Sequence, residues 1–223
     1  MKSILFKVST GFAILVLCFI FLKVSGIIML LRIPTGSSEP TLKIGSLLLA
    51  YKYKKPSRFD FVVFRAPILG TQQTELYVSR LCAFGGDTIE VRDGVAFING
   101  HNIDSNLPLK TQFVISMEES KRLQSAGIDI QGMIDIALDD KIVFSTEKTF
   151  ISKHRVNAVP VIRNTADEYI VSKFARDWNA DQFGPVVVPE GHFFVLGDNR
   201  HNSLDSRYRG FSPVNDIVAT VLR

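Results

Sequence analysis

The feature that most restricts this chain is a nearly continuous apolar run over residues 12–31, interrupted by Lys23, Ser25 and Gly26. About twenty helical residues rise roughly 30 Å, the thickness of a bilayer hydrocarbon core, so the run predicts one membrane-spanning helix within an N-terminal segment 1–31. Lys23 lies in the second half, where its aliphatic stem can carry the ammonium to a headgroup. The competing reading is a cleaved secretory signal, with Lys2 and Lys7 as its basic part and Phe12–Leu22 as its apolar part. Renewed apolar character at Ile27–Leu31 favours the anchor. Orientation stays open, because Lys2, Lys7 and the amino terminus are opposed by Lys23, Arg32 and Lys43.

Beyond Gly45 the pattern turns to strands. Leu47–Tyr53, Phe59–Arg65, Glu75–Cys82 and Thr88–Val91 are rich in β-branched and aromatic side chains, which suit a pleated, half-buried surface. Asp93-Gly94, between Ile89–Arg92 and Val95–Ile98, predicts a two-residue hairpin. Gly85-Gly86 before Asp87 predicts a tight turn or bulge. Residues 104–182 are mixed in polarity and poor in turn glycines. There, Ser116 can cap a helix over Met117–Ala126, with Glu119 as the reciprocal capping residue and Gly127 as the stop. Phe193–Leu196 and Asp216–Leu222 read as returning strands. The expected architecture is mostly β, an antiparallel core from residues 32–103 and 183–223 interrupted by an α+β insertion over residues 104–182.

A length of 223 residues and 46% hydrophobic content exclude general disorder. The net charge is +4, but the basic residues are scattered and no zinc-finger or helix-turn-helix pattern accompanies them, so no nucleic-acid partner is expected. Lys52, Lys54, Lys55 and Arg58 suit anionic lipid and suit a plain solvated surface equally. Cys18 and Cys82 fall in the apolar run and in a predicted strand, which argues for small buried hydrophobes and against a disulfide. His101, His154, His192 and His201 lack metal-ligand spacing, and there is no phosphate-binding glycine loop, so neither metal nor cofactor is expected.

Two stretches carry chemistry. In Thr35-Gly36-Ser37-Ser38-Glu39-Pro40-Thr41-Leu42 a glycine-containing turn fixed by proline can expose Ser37 as a nucleophile, with Thr35 beside it as a donor to an oxyanion; the same composition also makes an ordinary loop. The second is Gly197-Asp198-Asn199-Arg200-His201-Asn202-Ser203-Leu204-Asp205-Ser206-Arg207. With Arg80-Leu81-Cys82-Ala83-Phe84-Gly85-Gly86-Asp87, Phe97-Ile98-Asn99-Gly100, Phe183-Gly184-Pro185 and Pro189-Glu190-Gly191, and just beyond an apolar run, the pair resembles the type I signal peptidases (leader peptidases), S26-type membrane serine proteases. The resemblance covers about residues 10–103 and 178–223.

What this resemblance implies is specific. The fold would be a signal-peptidase-like antiparallel β catalytic core, in two parts, with an N-terminal transmembrane helix and a variable insertion. The activity would be that of a membrane-bound serine endopeptidase cleaving N-terminal signal peptides from exported preproteins. Its location would be the bacterial cytoplasmic membrane, single-pass, with the body on the outer face. The partners would be preprotein signal peptides and membrane lipid, and no cofactor is implied. Ser37 would be the nucleophile, its N–H and the Thr35 hydroxyl the oxyanion donors, and Ser203 the residue orienting the base. Arg80 with Asp198, and Asp205 with Arg207, would support the site.

At one position the sequence departs sharply from that pattern: Ser79 stands where the family carries its general-base lysine. A hydroxyl cannot replace an amine as base, because its conjugate acid is far too strong to hold the proton at neutral pH, and losing a general base typically costs about 10²–10⁴ in rate. Ser38 replaces the usual methionine after the nucleophile, and Ser46 the aspartate that commonly follows Gly45. Three outcomes are open: a substitute base such as His201 or a lysine of the 52–55 stretch, a slow peptidase, or a silent homologue. The last would bind signal-like segments and assist export or pilus assembly.

Overall fold

The computed structural model describes residues 12, 14–17, 20–71 and 73–222. Lys2, Lys7 and Cys18 lie outside the described residues. Helical residues 12, 14–17 and 20–24 lead into a turn at Ser25-Gly26, where Gly26 takes φ +71°. The chain then enters a strand, Ile28–Arg32, and does not continue as the expected helix to residue 31. A glycine at positive φ stops the helix, and the bulky apolar residues beyond it find a strand partner: Ile28 to Arg32 lie opposite Tyr51 to Leu47. Among the described residues no helix is long and apolar enough to cross a membrane.

Among the described residues fifteen strands follow in chain order. They are β1 (Ile28–Arg32), β2 (Leu47–Tyr51), β3 (Phe61–Pro67), β4 (Thr74–Phe84), β5 (Thr88–Arg92), β6 (Val95–Ile98), β7 (His101–Asn102) and β8 (Lys110–Ser116). Then come β9 (Ile134–Ala137), β10 (Lys141–Glu147), β11 (Val159–Pro160), β12 (Phe183–Val187), β13 (His192–Leu196), β14 (Ser212–Pro213) and β15 (Ile217–Val221). The largest sheet has the order β1-β2-β15-β3-β4-β13-β14, so strands from the far end of the chain lie among and beside those from its beginning.

Why β3 is central can be read from its residues. Phe61 and Val63 pack with Leu48, Ala50 and Val221 on one face, while Val62 and Phe64 pack with Leu81 and Phe193 on the other. A strand covered on both faces needs an unbroken apolar run, which Phe61-Val62-Val63-Phe64 supplies. The second sheet, β12-β5-β6-β7, stacks its apolar face on β4 and β13. Its β5–β6 hairpin turns through Asp93 at φ 49° and Gly94 at φ 73°, the paired positive angles that the Asp-Gly dipeptide predicts.

Residues 110–160 build a third sheet, β11-β8-β10-β9, over a core of Phe113, Ile115, Leu123, Ile142 and Phe144. Ser116 accepts a hydrogen bond from the Glu119 N–H at 3.1 Å and caps the helix Met117–Ser125. Glu119 does not complete a reciprocal cap. Its carboxylate accepts instead from Arg122 at 2.7 and 2.8 Å and from the Asn157 N–H at 2.9 Å. Charge-assisted bidentate pairing outcompetes one more bond to a cap backbone. After this sheet, the helix Glu168–Phe174 returns to the main body, where Phe174 packs edge-on to Phe183 at 5.0 Å and Phe183 contacts Phe194.

Phe194 is fully buried where chain segments from both ends meet. Phe194→Ala should therefore lower the unfolding free energy by about 3–5 kcal/mol. The check is a urea midpoint at unchanged denaturant slope; a loss below about 1 kcal/mol would show that this residue does not join the two parts.

Candidate active site

The site begins where β1 ends. The Ile33 N–H donates to the Ser46 carbonyl at 3.0 Å and the Gly45 N–H to the Ile33 carbonyl at 2.8 Å, which pinches the intervening loop at its base. Inside that loop Gly36–Ser38 form a single tight helical turn. Ser37 is half-buried, and its hydroxyl lies 3.4 Å from that of Thr35. Ser38 is buried and donates to the Val78 carbonyl of β4 at 3.1 Å, so a hydroxyl pins the turn to the neighbouring strand. Ser46 closes its own turn by donating to the Lys43 carbonyl at 2.6 Å.

From the other side the 197–207 loop holds the same turn. The Asn199 N–H donates to the Ser37 carbonyl at 3.0 Å, and Asn199 Nδ2 donates to the Gly36 carbonyl at 3.1 Å. Gly197 is required by close approach: a Cβ there would lie 2.2 Å from Ser203 Oγ and 2.7 Å from the Ser37 carbonyl oxygen. Ser37, Ser79 and Ser203 line one cavity of about 560 Å³. Thr35 and Ser38 line it as well.

The four charged residues singled out from sequence form two buried pairs. Arg80 donates to both Asp198 carboxylate oxygens, at 2.7 and 2.5 Å, and to the Phe59 carbonyl at 2.9 Å. Thr41 donates a short bond to Asp198 and so fastens the end of the Ser37 loop to this pair. Arg207 meets Asp205 at 2.9 and 2.8 Å and also reaches the carbonyls of Ala180 and Arg200. Burial pushes the Arg207 pKa down, but Asp205 outweighs it and raises it above the ordinary guanidinium value.

Two further pairs were not foreseen. Arg200 is bound by Asp104 through two 2.6 Å bonds across 96 positions of sequence. His201 Nδ1 accepts from the Gln112 N–H at 3.0 Å, which leaves Nε2 as the protonated nitrogen donating to Asp181 at 2.9 Å. Both arise from long-range packing, and no local spacing announces them. The second also engages both ring nitrogens of His201, the histidine of the neighbouring loop. Among the described residues no lysine lines the cavity, and the Lys52 ammonium lies instead over the Tyr53 ring at 5.8 Å. Lys54 pairs with Asp60 at 3.1 Å. Cys82, pushed up to about 12 by burial, is no nucleophile at neutral pH.

Against this geometry, the family model described as "Signal peptidase, peptidase S26" matches residues 6–222. The chain belongs to the S26 signal peptidase family. Relatives within this S26 family include a signal peptidase I of Buchnera aphidicola subsp. Acyrthosiphon pisum, 28% identical over 86% of this chain and 66% of its own length. One from Aquifex aeolicus is 29% identical over 83% of this chain and 70% of its own length. One from Haemophilus influenzae is 28% identical over 91% of this chain and 64% of its own length. The chain thus spans about two thirds of the length of these S26 relatives. The solved signal peptidase I of Enterococcus faecalis is 24% identical, covering 76% of this chain and 98% of that one, with a TM-score of 0.37.

Two outcomes follow. Gly197→Ala should cost about 1–3 kcal/mol through overpacking and should disturb the Ser37 turn, read as a lowered urea midpoint and changed labelling of Ser37 by a serine-directed phosphonate. Burial raises the Asp181 pKa, but the His201 bond and the Arg163 N–H outweigh it, so the net shift is downward. A depressed carboxylate contributes stability that is present above its unfolded pKa and is lost as pH falls through the folded value. Stability should therefore decline as pH falls below the ordinary aspartate range, and Asp181→Asn should make that acid decline shallower in urea titrations.

Proposed function

We propose that the protein is a membrane-anchored serine endopeptidase of the signal peptidase I type, removing N-terminal signal peptides from exported preproteins. The observation that carries this reading is the cavity shared by Ser37, Thr35 and Ser203, held by Asn199 and the Arg80–Asp198 pair. Ser37 attacks the scissile carbonyl, and its N–H with the Thr35 hydroxyl donates to the developing oxyanion. Arg80, Asp198, Asp205 and Arg207 each have a complete set of partners, which fits architecture better than proton transfer.

The substrate path in this reading is the edge of β4. β13 pairs with β4 only from Arg80 to Phe84, so Thr74 to Ser79 have no strand partner on that side among the described residues. An extended segment could add there, with alternate side chains entering the cavity wall. Small residues at the first and third positions before the cut are expected. In the same reading the N-terminal segment, with its helical residues 12, 14–17 and 20–24, anchors the chain in a bacterial cytoplasmic membrane, and the β body stands on the outer face.

One observation favours a second reading, that of a catalytically weak or silent homologue that binds signal-like segments. Among the described residues lining the cavity, His201 is the sole imidazole, it is fully engaged, and there is no amine. The two readings separate on Ser79→Lys. In the peptidase reading this substitution raises preprotein cleavage by about 10²–10⁴, and a further Ser37→Ala change abolishes the gain. No gain from a folded Ser79→Lys protein would favour the silent binder.

A further inference from the structure

Ser79 is only 7% exposed, yet its hydroxyl has no hydrogen-bond partner among the described residues, although it lines the cavity. The Ser203 hydroxyl, half-buried on the opposite wall, has none either. Ser37 has only the long 3.4 Å contact to Thr35. A buried residue's hydroxyl is ordinarily satisfied, and with the half-buried Ser37 and Ser203 the Ser79 hydroxyl makes three whose acceptor capacity toward one cavity is under-used, which suits a ligand with several donors on one atom. The remaining polar groups of the wall leave that requirement unmet. Arg209 is held by the Leu204 and Pro67 carbonyls and lies over the Tyr77 ring, and His201 is occupied on both nitrogens. Glu75 and Arg32 are exposed at the rim.

A primary amine fits this demand. As ammonium it donates three hydrogen bonds from a single small centre, and in its neutral form it accepts one proton. We infer that the cavity takes a primary amine from outside the chain, either a small free amine or a lysine side chain of the bound segment, and that this amine is the proton acceptor for Ser37. The inference rests on the peptidase reading for its chemistry but on the hydroxyls for its site. The neutral amine takes the Ser37 proton as Oγ bonds to the scissile carbonyl carbon. The ammonium then returns that proton to the leaving nitrogen as the C–N bond breaks, leaving acyl-Ser37 and neutral amine. Water next attacks the ester, the amine takes its proton, and the ammonium delivers it to Ser37 Oγ as the acid product departs. The amine is regenerated and nothing is oxidised or reduced.

The test uses the full chain in detergent, with ethylamine as probe and sodium chloride at equal ionic strength as control. Saturable binding by ethylamine, seen as shifts of labelled serine resonances, should disappear in Ser79→Leu and weaken in Ser203→Ala. Cleavage of a preprotein peptide should rise by about 10²-fold or more, increase with pH as free amine accumulates, and vanish in Ser37→Ala. A lysine scanned through amine-free peptides distinguishes the sources: cleavage of lysine-bearing peptides alone identifies the segment, and cleavage of any peptide only with ethylamine identifies a free amine. If Ser79→Lys cleaves while ethylamine and the lysine peptides neither bind at the cavity nor restore cleavage, the inference is overturned and the peptidase reading stands. If ethylamine binds but neither it nor Ser79→Lys gives cleavage, the amine site stands and the peptidase reading falls.

Discussion

The buried pair of Arg80 and Asp198 is the interaction on which the rest of the site depends. It joins residues 118 positions apart and stands at 3% and 1% side-chain exposure. Such a pair contributes little net stability, because desolvating both charges offsets most of their attraction, while removing one partner costs about 3–5 kcal/mol. Its effect is positional. Arg80 belongs to β4, Asp198 to the loop after β13, and Thr41 ties the Ser37 loop to the same carboxylate. Three distant segments are therefore fixed to one point before any chemistry is possible.

β4 carries this arrangement further. Within three successive residues it offers a carbonyl at Val78 to Ser38, a side chain at Ser79 to the cavity, and a guanidinium at Arg80 to Asp198. A strand paired from Thr74 to Arg80 on one side by β3 is rigid enough to hold these groups in register, while its partly open second edge leaves room beside them. Rigid positioning from a strand is more accurate than from a loop, which suits a site whose proposed nucleophile sits on a short turn.

Much of this was legible in local sequence, and what failed did so for identifiable reasons. The Asp93-Gly94 hairpin and the Ser116 cap depend on neighbours within a few residues, and both stand as the sequence predicts. Hydropathy alone could not tell helix from strand at Ile28–Leu31, because a short apolar run satisfies either; Gly26 was the signal that mattered. The reciprocal role of Glu119 failed when Arg122 offered a stronger partner. His201 looked available because its two partners, Gln112 and Asp181, come from elsewhere in the chain.

How the cavity keeps its shape with serine at position 79 follows from the same pairs. Arg80 is matched by Asp198, Arg200 by Asp104 and Arg207 by Asp205, so no charge around the site depends on residue 79 for its partner. A lysine there would add a desolvated amine next to Arg80, and both burial and the neighbouring cation would press it toward its neutral form. Serine removes that cost and leaves the surrounding charges as they were. The scaffold can therefore be fully formed with serine at position 79. The charges of Arg80, Arg200 and Arg207 are each satisfied within their own pair, so the scaffold's stability does not rest on the residue at position 79.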